Sequence, residues 1–110
     1  MINIEVQSIF AAIPSDLPEE QFSTLLDTEH FKLGRIVSTG QATPEGEWCD
    51  QEGNEWVLVL QGKAEIRFED GDVTKTLSPG EYLQIPAHVR HRVELTDPDQ
   101  PTVWLVLHYP

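Results

Sequence analysis

Apolar and polar residues alternate with a period of two along most of the chain, the signature of strands with one buried and one wet face. Ala64, Ile66 and Phe68 share one parity, and Lys63, Glu65, Arg67 and Glu69 the other. His91, Val93 and Leu95 likewise alternate with Arg90, Arg92 and Glu94, which puts His91 on the core side. The pattern predicts strands over 31–38, 55–60, 64–68, 73–77, 82–85, 91–95 and 102–108. Turn residues separate them: Pro44-Glu45-Gly46, Gln61-Gly62, Asp70-Gly71-Asp72, Pro79-Gly80 and Asp97-Pro98-Asp99. One segment departs from this pattern. Ser15 or Asp16 as a cap, Pro18 in the first turn, Glu19 and Glu20 after it, and Phe22, Leu25 and Leu26 at helical spacing predict a short helix ending near residue 27. Short strands with regular turns and one N-terminal helix describe an all-β sandwich or barrel. The predicted organisation is a single domain, 1–110, with an arm and helix over 1–30 and a β-barrel over 31–109.

Two strands are apolar on both faces: Trp56-Val57-Leu58-Val59-Leu60 and Val103-Trp104-Leu105-Val106-Leu107. Such strands need cover on the outside as well. The N-terminal residues Ile2, Ile4, Val6, Ile9, Phe10 and Ile13 supply part of it, and a second subunit is the other natural source, so the pattern predicts a homodimer.

Composition narrows the partners. In 110 residues, nineteen Asp and Glu face seven Lys and Arg, a formal charge of −12. The cations are scattered, which argues against nucleic acid and against an anionic membrane surface. Three Trp and a hydrophobic content of 39% suffice for a packed core. A single cysteine, Cys49, builds neither a disulfide framework nor a Cys-based zinc knuckle. The sequence has no basic leader and no long apolar run, so a cytoplasmic protein is expected.

Two ionisable residues stand at the inward ends of apolar strands. Glu55 shares its face with Val57 and Val59, and His91 shares its face with Val93 and Leu95. Burying either alone costs several kcal/mol, so each needs a partner, a shifted pKa or a metal ion. The surrounding residues carry a resemblance. The run from Gly46 to Glu55, followed six residues later by Gly62, is similar to the first cupin motif. Gly80, five residues, Pro86, and His91 five positions on resemble the second. The first motif departs from the family pattern: its two histidine positions hold Trp48 and Asp50, or Cys49 and Gln51 in the shorter spacing.

The resemblance implies a small cupin-type (jelly-roll-like) β-barrel with one divalent ion inside. Glu55 and His91 match the family's ligands, with Asp50 or His108 as further candidates. Imidazole with carboxylates suits Fe(II), Mn(II) or Ni(II), and Zn(II) is compatible. On that reading the protein is a metal-dependent oxidoreductase or isomerase acting on a small organic acid or sugar-like molecule. Arg35 enters the barrel to clamp an anionic ligand, and Tyr82 and Trp48 line the cavity. Loss of both motif-one histidines keeps a second reading open: a metal-free cupin that binds a small molecule or regulates without catalysis. For each residue a plain structural role stands beside the functional one: a buried ion pair for Glu55 and His91, a turn cap for Asp50, a core histidine for His108 and a strand-end cation for Arg35.

Overall fold

The computed structural model describes residues 2–110. Eight antiparallel strands form two sheets: β1 (Gln21–Asp27), β2 (Lys32–Ser38), β3 (Asn54–Gln61), β4 (Ala64–Phe68), β5 (Val73–Leu77), β6 (Tyr82–Ile85), β7 (His91–Thr96) and β8 (Thr102–Tyr109). The five-stranded sheet runs β1-β2-β8-β3-β6 and the three-stranded sheet β5-β4-β7. Their inner faces enclose a core of Val57, Val59, Ala64, Ile66, Leu77, Ile85, Trp104 and Val106, all at most 4% exposed. The seven strands expected from 31 onward are present, with ends shifted by one residue where they differ.

The helix expected up to residue 27 is not formed. Residues 21–27 are strand β1, paired along β2 from Gln21↔Val37 to Asp27↔Lys32. Two physical terms override the helical spacing. A segment this short is marginal as a helix, and β2 offers a row of backbone groups that would otherwise go unpaired. Phe22 packs its ring against Gly34, where an added Cβ would stand 2.5 Å from the ring. Before it, residues 15–20 form a strap: Leu17 N–H donates to Thr39 Oγ1 (3.0 Å) and Gln41 Nε2 to Leu17 O (2.7 Å).

Register decides which side chains face the interior, because directly opposed antiparallel residues share a face. Val57 opposes Val106 and Val59 opposes Trp104, so Glu55 and its opposite number His108 belong to the inner face too. On β2 the inner residues are Gly34 and Ile36, opposite Val106 and Trp104. Arg35 is therefore on the outer face, and the expectation that it enters the barrel is corrected. The parity of Phe31, Leu33 and Val37 misleads because β2 is apolar on both sides. A second departure is a bulge in the β4–β7 ladder: Ile66 opposes Val93, but Glu65 opposes Leu95 and Ala64 opposes Thr96. Leu95 is thereby turned from His91's face and Thr96 is buried in its place. Among the described residues no helix is long and apolar enough to cross a membrane.

Candidate functional site

The loop before β3 is stitched to the start of β7. Cys49 N–H donates to His91 O (2.7 Å) and His91 N–H to Cys49 O (3.1 Å), an isolated antiparallel bridge. Their side chains consequently share the inner face. The next residues alternate. Asp50 turns outward, where its Oδ1 lies 2.9 Å from His88 Nδ1 in an exposed pair. Gln51 bonds to the carboxylate inside, Nε2 donating to Glu55 Oε2 at 2.6 Å. Its carbonyl accepts His88 N–H (2.8 Å), and Asn54 Oδ1 accepts Ala87 N–H (3.0 Å), so the two motif loops are tied edge to edge. His88 closes this turn at φ 63°, in the left-handed region.

A cavity of about 530 Å³ opens between the sheets, walled by Ile36, Val57, Ile66, Val93, Trp104 and Val106. Its ionisable lining residues are Glu19, Glu20, Cys49, Glu55 and His91. His91 is 5% exposed, and its Nδ1 lies 2.9 Å from Val89 O. A carbonyl only accepts, so Nδ1 carries a proton, and Nε2 has no hydrogen-bond partner among the described residues. No Lys or Arg lines the cavity. The ionised carboxylates of Glu20 and Glu55 offer only acceptors to the cavity, and Nε2 of His91 adds another in the neutral ring.

Glu20 belongs to neither motif. It sits on the strap at the rim and accepts a long bond from Ser38 Oγ (3.5 Å). Partial burial pushes its carboxyl above the usual value, the Ser38 bond works against that, and the Glu55 charge adds to the rise. The signal for it existed: read as a strand, Phe22 faces inward and Glu20, two residues earlier, shares its side. Burial also pushes the Cys49 thiol up, reinforced by the charges of Glu55, Glu20 and Glu47 and opposed by Arg92. Cys49 is therefore held as a neutral thiol, the opposite of an activated nucleophile.

The proposed metal set is not assembled. Among the described residues no three His, Cys, Asp or Glu side chains are grouped so that they could hold an ion. Asp50 is turned outward onto His88. His108 faces inward opposite Glu55, but its ring packs 6.4 Å from Phe22 and it does not line the cavity. A metal centre with three protein ligands does not fit these residues as they stand.

The three expected ligand contacts also lie elsewhere. Arg35 donates through Nη1 to Ile9 O (3.0 Å) and Ala11 O (2.6 Å), pinning the N-terminal segment to the outer face. Tyr82 is 65% exposed on that same face, its ring 5.4 Å from Trp56. Trp48, one residue before Cys49 and on the opposite parity, carries Arg67 over its ring at 5.7 Å, outside the cavity.

These features agree with known proteins. A 2.10 Å crystal structure of a Ralstonia eutropha JMP134 protein, provisionally named a mannose-6-phosphate isomerase, is 42% identical, with 96% of this chain and 98% of that one covered and a TM-score of 0.92. A cupin superfamily protein from Desulfitobacterium hafniense DCB-2 is 20% identical over 98% of this chain and 94% of that one, TM-score 0.77. A cupin domain from Bordetella pertussis Tohama I is 21% identical over 86% and 97%, TM-score 0.64; these two show the fold alone. No curated protein matches the chain. Residues 36–108 match the family model described as Cupin domain. With both motif loops, the inward Glu55 and His91 and the two-sheet barrel in place, the chain belongs to the cupin domain family.

Proposed function

We propose that this cupin binds a small organic molecule directly in the barrel, one with an apolar body and a cationic or hydroxyl-rich head. The observation that carries the reading is the one-sided charge of the cavity lining. Most of its wall is apolar, Glu19, Glu20 and Glu55 bring carboxylates to it, and no Lys or Arg lines it. Acceptors need donors, so an ammonium group or a cluster of hydroxyls complements the site. A phosphate or carboxylate would meet the carboxyl groups of Glu19, Glu20 and Glu55 with no Lys or Arg to offset them. The phosphorylated sugar in the name of the Ralstonia relative is disfavoured here for that reason, as is a small organic acid.

Metal ligation is the second reading, favoured by one feature: Nδ1 of His91 is bonded to a carbonyl, the arrangement that orients Nε2 toward an ion. Only Glu55 and His91 of the motif-implied set remain together at the cavity for it.

The test is a thermal-shift panel on protein stripped with chelator, using cyclohexylamine, inositol and cyclohexanecarboxylate as probes. The amine or the polyol is expected to raise Tm, by about 2.7 kcal/mol of stabilisation at a hundred times Kd, and the carboxylate to do nothing. Elemental analysis of protein purified without chelator separates the readings. Stoichiometric metal, lost in Glu55→Gln, would favour the second.

A further inference from the structure

Two carboxyls enter the cavity from opposite ends of the five-stranded sheet. Glu55 stands in the cross-strand row of Lys32 and His108, at the start of β2. Glu20 reaches in at the other end, where its Oε2 accepts from Oγ of Ser38, the last residue of β2, at 3.5 Å. Ser38 is fully buried and in turn accepts from Trp104 Nε1 at 3.2 Å. Two apolar inner rows lie between the carboxyls: Gly34, Val106 and Val57 in one, Ile36, Trp104 and Val59 in the other. A strand advances about 3.4 Å per residue, so the seven residues of β2 put the two ends roughly 20 Å apart. Side chains leaning inward shorten that gap, and the Glu55 charge is felt at Glu20.

Neither carboxylate meets a cation. Glu55 takes one bond, from Gln51 at Oε2, and Glu20 one long bond, from Ser38; Oε1 of each has no partner among the described residues. Glu19 lines the mouth beside Glu20, and no Lys or Arg lines the cavity. Lys32, although in the row of Glu55, turns its ammonium over the Phe22 ring, 5.2 Å from the centroid. His91 is an independent sign that the space takes a ligand. It is 5% exposed, it lines the same cavity, and its Nε2 has no partner among the described residues. A ring this buried, with one nitrogen still open to the cavity, takes its remaining bond from what occupies that cavity.

Resting on the reading that a cationic head binds in the barrel, we propose that the ligand carries two such heads: it is a linear aliphatic diamine, with one ammonium at Glu55 and the other at Glu20. Its methylene chain lies along the apolar rows, against Ile36, Val57, Trp104 and Val106. A ligand with one ammonium leaves the second carboxylate in a mostly apolar space without a partner, and a single cluster of hydroxyls reaches one end only. Two ammonium groups answer both charges, and the rows between them give the chain its place. The upward shift of the Glu20 carboxyl, from partial burial and the Glu55 charge, is what a carboxylate without a counter-ion shows.

The test is calorimetric titration of the full chain, stripped with chelator, with hexamethylenediamine and octamethylenediamine beside hexylamine and octylamine as their one-headed counterparts. Trimethylenediamine carries the same two groups but is too short to cross both apolar rows. It controls for the attraction of any dication to a chain of charge −12. The better long diamine is expected to bind at least about tenfold tighter than its monoamine, and the short diamine to gain nothing. Glu20→Gln, which keeps the size of the side chain and an acceptor for Ser38, is expected to remove the advantage, and Asp50→Asn to keep it. A long diamine no tighter than its monoamine, a short diamine equally tight, or an advantage that survives Glu20→Gln would each overturn the proposal and leave the one-headed reading standing. Failure of every amine and of inositol to bind would overturn both.

Discussion

Two carboxylate–histidine combinations lie within a few residues of each other, one on each side of the same wall. Asp50 and His88 meet at 2.9 Å on the outside, with side chains 48% and 66% exposed. Glu55 and His91 face the cavity and do not bond to each other: Glu55 takes its hydrogen bond from Gln51 and His91 spends Nδ1 on Val89 O. The outer pair satisfies itself and water screens it. The inner two are each tied down by a neutral partner, which leaves a carboxylate oxygen and an imidazole nitrogen facing the cavity. A self-satisfied pair has nothing to offer a ligand, whereas the held-apart groups do.

The largest expected effect separates the histidines. His91→Ala removes a buried ring packed 6.3 Å from Phe68 and orphans the Val89 carbonyl. It should cost about 2–4 kcal/mol in urea unfolding. His88→Asn keeps a residue that tolerates φ 63° and should stay within about 1 kcal/mol of wild type. Equal losses at the two positions would break the comparison.

Thiol chemistry sharpens it next. With its pKa raised by burial and by Glu55, Glu20 and Glu47, Cys49 should react slowly with iodoacetamide at neutral pH and speed up only above the ordinary thiol value of 9.0. Glu55→Gln should accelerate the neutral-pH reaction severalfold, while Asp50→Asn, outside the wall, should leave the rate unchanged.

The smallest effect is at the rim. The folded-state pKa of Glu20 lies above its ordinary value of 4.5, so the unfolded chain holds that proton less tightly. The stability from Glu20 is present below that value and is lost as pH rises through the raised pKa. Comparing wild type with Glu20→Gln across the acid range should show the wild type falling behind as pH increases. Because the rim stays open to water, the difference is small.

Much of this was legible in the chain and some was not, for definable reasons. Period-two alternation locates β2 to β8 and the inward parity of His91, because one-sided burial leaves a clear pattern in β4 and at the start of β7; Glu55, on the doubly apolar β3, is marked by the motif spacing. Where both faces are apolar the pattern loses its sign, and so the parity of Arg35 on β2 points the wrong way. The bulge that turns Leu95 away depends on one extra residue between pairings, which alternation by itself does not record. Between the two motif spacings, Trp48/Asp50 and Cys49/Gln51, the sequence left the choice open. The backbone bridge from Cys49 to His91 favours the second by directing Cys49 inward. β1 is hidden because Phe22, Leu25 and Leu26 fit a helix, and the strand shows in its pairing along β2.

The most direct test of the central claim is calorimetric titration of metal-stripped protein with the best amine or polyol from the panel, on wild type, Glu55→Gln and Asp50→Asn. Binding that survives Asp50→Asn and drops at least about tenfold, about 1.4 kcal/mol, in Glu55→Gln is the predicted result. Tight binding of the carboxylate probe, or an amine or polyol indifferent to Glu55→Gln, would contradict it.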